Sequence, residues 1–289
     1  MTSFSGIWVP LVTPFHGGAV DFPSLQQLTR RIVDAGVAGL VVCGSTGEAA
    51  ALSGEEQLAV LDTVLRAAPN CPVVMGLAGN NTTSMLHRLQ EIQQRPVRGL
   101  LVPPPYYVRP SQAGLLDYYR TLADASAVPL IVYNIPYRTG VNIEPHTMRA
   151  IARHEHIVAL KDCGGDQAAT MRLIADHVLD VLAGEDLQLL STLCLGGSGA
   201  ILASAHIRPD LFVRLARHVQ ADELQAARQV FYRLRPVIEL LFEEPNPAPL
   251  KAALAMMGLV REELRAPMQP ASAALKEKLS HALHSLECL

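Results

Sequence analysis

Short apolar runs rich in Val, Ile and Leu recur along the chain, separated by polar stretches of helical period. The runs are IWVPLVTPF from residue 7, AGLVVCG from 38, PVVMGLAG from 72, GLLVPPP from 99, PLIVYNIP from 129, IVALKDCGG from 157, DVLAGED from 180 and GAILAS from 199. Their hydrophobicity is continuous rather than alternating, which is the pattern of parallel strands covered on both faces. Between them lie stretches such as SLQQLTRRIVDAG, GEEQLAVLDTVLRAA, TTSMLHRLQEIQQ and SQAGLLDYYRTLADAS, several opened by a Ser or Thr suited to N-capping. Eight such units without a break in composition predict a closed (β/α)₈ TIM barrel, with a doubly wound open sheet as the alternative. The G-x-G-like stretch GGSGA at 196–200 precedes a strand instead of following one, so a dinucleotide fingerprint is not expected. Past residue 222 the strand pattern stops. The stretches DELQAARQVFYRLRPVIELLF, APLKAALAMMG and SAALKEKLSHALHSL then read as helices. The expected division is a catalytic barrel over 1–222 and a C-terminal helical extension over 223–289.

Composition narrows the function classes. With 49% apolar and 18% charged residues in 289, the chain can bury a large core. A formal net charge of −3 gives no basic field for nucleic acid and no polybasic patch for an anionic membrane. The first apolar run has no basic residues ahead of it and is broken by Pro10 and Pro14, unlike a signal peptide, and no apolar run is long enough to span a bilayer. The five cysteines are odd in number and far apart, with no C-x-x-C, which predicts free thiols and a cytoplasmic location. His154 and His156 flank Glu155 in a short connection that would not aim two imidazoles from one helix face, so no metal site is expected.

Chemistry in such barrels sits where strands end and loops begin. Polar residues gather at those points: Gly44-Ser45-Thr46-Gly47-Glu48, Tyr106-Tyr107, Tyr133-Asn134 running into Tyr137-Arg138-Thr139-Gly140, Lys161, and Gly184-Glu185-Asp186. Lys161 follows four apolar residues. It is either a lysine whose head escapes to water or a desolvated nucleophile. At its free pKa a lysine amine is neutral in only roughly one molecule in 2,500 at pH 7. Burial in an apolar barrel disfavours the ammonium and exposes the lone pair, which can then attack a ketone to form a Schiff base. Tyr133, on the neighbouring strand, is either packing or a proton shuttle for that amine, with Ser45 and a second tyrosine as a route to solvent. Ser45 and Thr46 suit either helix capping or a carboxylate at a helix N-terminus. Arg138 is either a surface residue or a planar fork for a second carboxylate.

The stretches GSTGE (44–48), YNIPYRTG (133–140), ALKD with its strand-end lysine, FEEPNPAPLKAAL (242–254) and LRAPMQP (264–270) resemble the dihydrodipicolinate synthase and N-acetylneuraminate lyase superfamily. The resemblance runs from VTPF at 12–15 to the last helices. It implies a pyruvate-dependent class I aldolase with Lys161 as the Schiff-base residue, Tyr133 as acid/base, and Ser45 and Tyr107 in a proton relay. In this family the tyrosine at position 107 comes from across a subunit interface, so a homo-oligomer is implied, a dimer or dimer of dimers. Thr46 would hold the pyruvate carboxylate, with Gly184 and Ile201 lining the pocket, and Arg138 would bind the carboxylate of aspartate semialdehyde. No cofactor beyond the covalent pyruvate adduct is implied.

PYRTG at 136–140 favours the synthase branch over sialic acid lyases. Departures at Val108, at Asp162-Cys163 and at Glu185 leave room for a related aldolase or dehydratase acting on a 2-keto-3-deoxy sugar acid or N-acetylneuraminate. A non-catalytic keto-acid-binding barrel is the third alternative. Lysine-inhibited members carry a glutamate shortly after the Asn that follows strand 3. Here Ser84 follows Asn80, with Gly54 and Gln57 in the other regulatory region, so weak or absent feedback by lysine is expected.

Overall fold

A computed structural model describes residues 4–289. Eight parallel strands close into a barrel. They are β1 Gly6–Pro10, β2 Gly39–Val42, β3 Val73–Gly76, β4 Gly99–Val102, β5 Leu130–Asn134, β6 Ile157–Asp162, β7 Asp180–Ala183 and β8 Gly199–Ile201. The order around the ring follows the sequence and returns from β8 to β1. The predicted barrel is therefore present, and the open sheet is not. Every residue of β2, β4 and β5 is buried, which is why these runs lack polar alternation.

The helices begin where the sequence supplies caps. Ser53 accepts from the Glu56 amide while the Glu56 carboxylate accepts from the Ser53 amide, a capping box for Gly54–Ala67. Asn81, Ser111 and Ser272 cap Thr82–Ile92, Gln112–Ala125 and Ala273–Ser285 in the same single-sided way.

Two groups of elements pack compactly, one of residues up to Gly6 with Pro72–Ile201, the other Ile7–Cys71 with Leu202–Leu289. In the first, β3 to β8 pair in parallel, with Val74 opposite Gly99, Leu101 opposite Ile131, Tyr133 opposite Lys161 and Lys161 opposite Leu182, and with one register shift between Leu130 and Ile131 against β6. In the second, β1 pairs with β2, and the helices Leu224–Leu241, Ala248–Met256 and Ala273–Ser285 follow the last barrel helix, Pro209–Gln220. Gly39 must lack a side chain because a Cβ there would enter the Trp8 ring.

The first apolar run is not one strand. It ends at Pro10, and the chain then makes a two-stranded hairpin, Phe15–His16 with Ala19–Val20. Gly17 and Gly18 form its turn, both at positive φ (60° and 81°), the conformation of a type I′ hairpin. Among the described residues no helix is long and apolar enough to cross a membrane, and no group of three or more His, Cys, Asp or Glu could hold a metal ion.

Candidate active site

The first group carries Lys161 and Tyr133. Register places Tyr133 directly beside Lys161 on adjacent strands, and the Lys161 Nζ lies 4.3 Å from the centre of the Tyr133 ring. Both side chains are buried, at 5% and 6% exposure. Burial depresses the Lys161 pKa below its usual value; Cys163, Asp186 and Glu185 oppose that shift, and Arg138 assists it. The lysine has not escaped to water. Desolvation is the largest influence on it, as a Schiff-base amine requires.

Neighbouring residues hold this geometry. Gly184 follows β7, and a Cβ there would collide with the Cys163 sulfur and come within 3.0 Å of Lys161 Cγ. A bare Cα at 184 is what leaves the lysine stem its path. The Gly184 amide donates to the Asp162 carbonyl at 2.9 Å, and the Asp162 carboxylate accepts from Thr170 Oγ1 at 2.5 Å and from the Gly164 amide at 2.9 Å. Asn134 donates to Asn142 Oδ1 and accepts from the Ile143 amide. The ends of β5 and β6 are thus pinned by their own polar residues. Ile201 closes β8, which pairs with β7 through Gly199–Leu182 and Ala200–Ala183.

Arg138 lies exposed on a single helical turn, Pro136–Thr139, which ends at Gly140 in the left-handed region (φ 77°). Glycine at that position is what the Arg-Thr-Gly string supplies. Next to Arg138, Tyr137 donates its hydroxyl to Glu185 Oε1 at 3.0 Å. Tyr107 does not join the buried pair within this chain: it is 91% exposed, with φ at 70° and its amide donating to the Thr139 carbonyl.

The second group carries Ser45 and Thr46, on the turn after β2. Thr46 is buried and its Oγ1 accepts from Asn246 Nδ2 at 3.1 Å. The turn is held from both sides. Thr13 Oγ1 donates to the Gly47 carbonyl, and Glu48, at φ 54°, points its carboxylate at the fully buried Lys251. Lys251 Nζ is 2.5 Å from Glu48 Oε1, donates to the Glu263 carbonyl at 2.8 Å and lies 4.2 Å from the Phe15 ring centre. The second Glu48 oxygen accepts from the Arg265 amide at 3.1 Å. A buried lysine is tolerable only with this degree of pairing.

Asn246, Lys251 and Glu48 were not assigned roles from the sequence. The available signal was Lys251, a lone charge inside the apolar helix Ala248–Met256.

Comparison with known proteins agrees with this chemistry. The model of the dihydrodipicolinate synthetase family matches residues 3–286. The 4-hydroxy-tetrahydrodipicolinate synthase 2 of Clostridium acetobutylicum is 37% identical over 96% of this chain and 99% of its own. Among solved structures, the dihydrodipicolinate synthase of Thermotoga maritima superposes with a TM-score of 0.96 at 33% identity, covering 99% of each chain. The chloride-inhibited enzyme of Acinetobacter baumannii, solved with pyruvate, gives 0.96 at 32% identity over 99% of this chain and 100% of that one. With a buried strand-end lysine beside a tyrosine, and similarity over nearly its whole length, this chain belongs to the dihydrodipicolinate synthetase family.

Proposed function

We propose that the protein is a 4-hydroxy-tetrahydrodipicolinate synthase, condensing pyruvate with aspartate semialdehyde through a Schiff base on Lys161. The observation that carries this reading is the desolvated Lys161 amine against the Tyr133 ring, at the end of β6. The neutral amine attacks the pyruvate ketone, and loss of water gives a protonated imine. That imine withdraws electrons from the methyl carbon, which gives up a proton and becomes an enamine. The enamine carbon attacks the aldehyde, whose oxygen takes a proton. The substrate's own amine then displaces Lys161 from the former ketone carbon and closes the ring. No added cofactor enters these steps.

Tyr133 gives a proton to the hydroxyl that leaves as the imine forms and takes the proton that the methyl carbon gives up, with Ser45 and Tyr107 completing its relay. Thr46 holds the pyruvate carboxylate with its hydroxyl and amide, Gly184 and Ile201 line the pocket, and Arg138 takes the carboxylate of the aldehyde. The exposure of Tyr107 supports a homo-oligomer, a dimer or dimer of dimers, in which it serves a neighbouring subunit. Free cysteines throughout the described chain suit a reducing cytoplasm. The test is a direct comparison of aldehydes. Pyruvate with aspartate semialdehyde should turn over, and cleavage of 2-keto-3-deoxy sugar acids or N-acetylneuraminate should be at least about 100-fold less efficient. The reverse preference would overturn the assignment.

A further inference from the structure

The loop after β7 places a carboxylate where the reaction as described has no use for one. Glu185 follows the glycine that packs on the Lys161 stem. Its Oε1 accepts from Tyr137 Oη at 3.0 Å. The Cys163 thiol, two residues beyond Lys161 and just past the end of β6, packs against Gly184 and also hydrogen-bonds to Glu185. Burial raises both the Tyr137 and the Cys163 pKa, so the phenol and the thiol remain donors at neutral pH. Arg138 and Glu185 both act electrostatically on Lys161 and on Tyr137. Arg138 follows Tyr137 on the same helical turn, so a cation stands next to the phenol that holds the Glu185 carboxylate.

A fixed carboxylate there repels both substrate carboxylates unless it meets a cation. Aspartate semialdehyde carries one: its ammonium and its carboxylate sit on the same carbon. We propose that Glu185, held in place by Tyr137, binds the ammonium group of the aldehyde substrate while Arg138 binds its carboxylate. Tyr137 and Cys163 occupy two of about four acceptor directions of the carboxylate, leaving the others for an N–H donor. Tyr137 and Cys163 are then positioning residues, and Glu185 is a specificity-determining one. The assignment rests on the synthase reading.

The experiment pairs aspartate semialdehyde as substrate with succinic semialdehyde, which lacks the ammonium, as competitor. A charge-assisted hydrogen bond corresponds to about 10- to 100-fold in affinity. Glu185→Gln should raise KM for aspartate semialdehyde by that factor. It should leave the KM for pyruvate and the inhibition constant of succinic semialdehyde within about twofold. Tyr137→Phe should move KM for aspartate semialdehyde in the same direction by a smaller factor. Cys163→Ser, which keeps a donor, should lie closer to the unaltered enzyme than Cys163→Ala. An unchanged KM for aspartate semialdehyde in Glu185→Gln would overturn the assignment. So would an equal loss for both aldehydes, because a merely structural role predicts that result. If the unaltered enzyme forms the pyruvate adduct but fails to turn over aspartate semialdehyde, the synthase reading itself falls.

Discussion

A lysine amine at its ordinary pKa is almost wholly protonated at neutral pH, and each unit of depression raises the neutral fraction about tenfold. In Lys161 burial supplies that depression. The rate of imine formation with pyruvate should therefore rise with pH and level off below the usual lysine value of 10.5. Pre-steady-state trapping across pH 6–10 checks this, and a profile still climbing steeply at pH 10 would contradict it. Tyr133→Phe keeps the ring against the lysine head but removes the hydroxyl proposed to carry protons. It should lower kcat by about 10²–10⁴-fold while the adduct still forms on incubation. Gly184→Ala tests the stem's path: a methyl group against Cys163 and Lys161 Cγ should cost about 100-fold in kcat/KM for pyruvate.

At this scale the sequence was informative where chemistry is local. A charge ending an apolar run, and tyrosine one strand earlier, marked Lys161 and Tyr133. It was silent where two polar groups meet only through the fold. Tyr137 and Glu185 are 48 residues apart, and Asn246 and Thr46 are 200 apart. No spacing rule relates either pair.

Among the elements, continuous hydrophobic runs gave the strands because both faces of β2, β4 and β5 are covered. The run from residue 7 misled by length: apolar Phe15 continues it, yet belongs to a hairpin that the Gly17-Gly18 pair could have signalled. The helix Ala248–Met256 ties itself to the turn after β2 through Lys251 and Glu48. Lys251→Met strands the Glu48 carboxylate and should cost about 3–5 kcal/mol, with Glu48→Gln/Lys251→Met recovering part of it. Denaturant unfolding of the two variants measures the difference, and equal stability of all three proteins would contradict the account. We propose that residues 223–289 act through this tie as an extension of a barrel spanning 1–222, not as an independent module.

His206 adds a pH dependence at the same scale. Its Nε2 accepts from the Val12 amide, its Nδ1 meets the Ala203 carbonyl, and burial lowers its pKa from 6.5 to about 4. The unfolded chain then binds more protons than the folded one between these values. Stability should therefore fall as pH drops below 6.5, by about 2 kcal/mol at pH 5 from this residue alone. Unfolding of the unaltered protein and of His206→Gln at pH 7 and pH 5 isolates the contribution. An identical pH slope in both would contradict it.

For the whole molecule, a closed ring of strands followed by a helical tail agrees with membership of the dihydrodipicolinate synthetase family. We propose that Ser84, whose amide donates to Asn81, takes the place of the carboxylate that would pair the α-ammonium of an inhibiting lysine. Lysine at about 1 mM should therefore leave most of the activity intact, and strong inhibition below that concentration would contradict the expectation.

Every step proposed above depends on one dry amine at the end of β6 capturing a keto acid. Borohydride reduction of the protein in the presence of pyruvate, followed by peptide mass mapping, tests it most directly. One reduced pyruvate per chain should appear, carried on the peptide containing Lys161 and absent from Lys161→Ala. An unmodified protein, or an adduct on any other lysine, would contradict it.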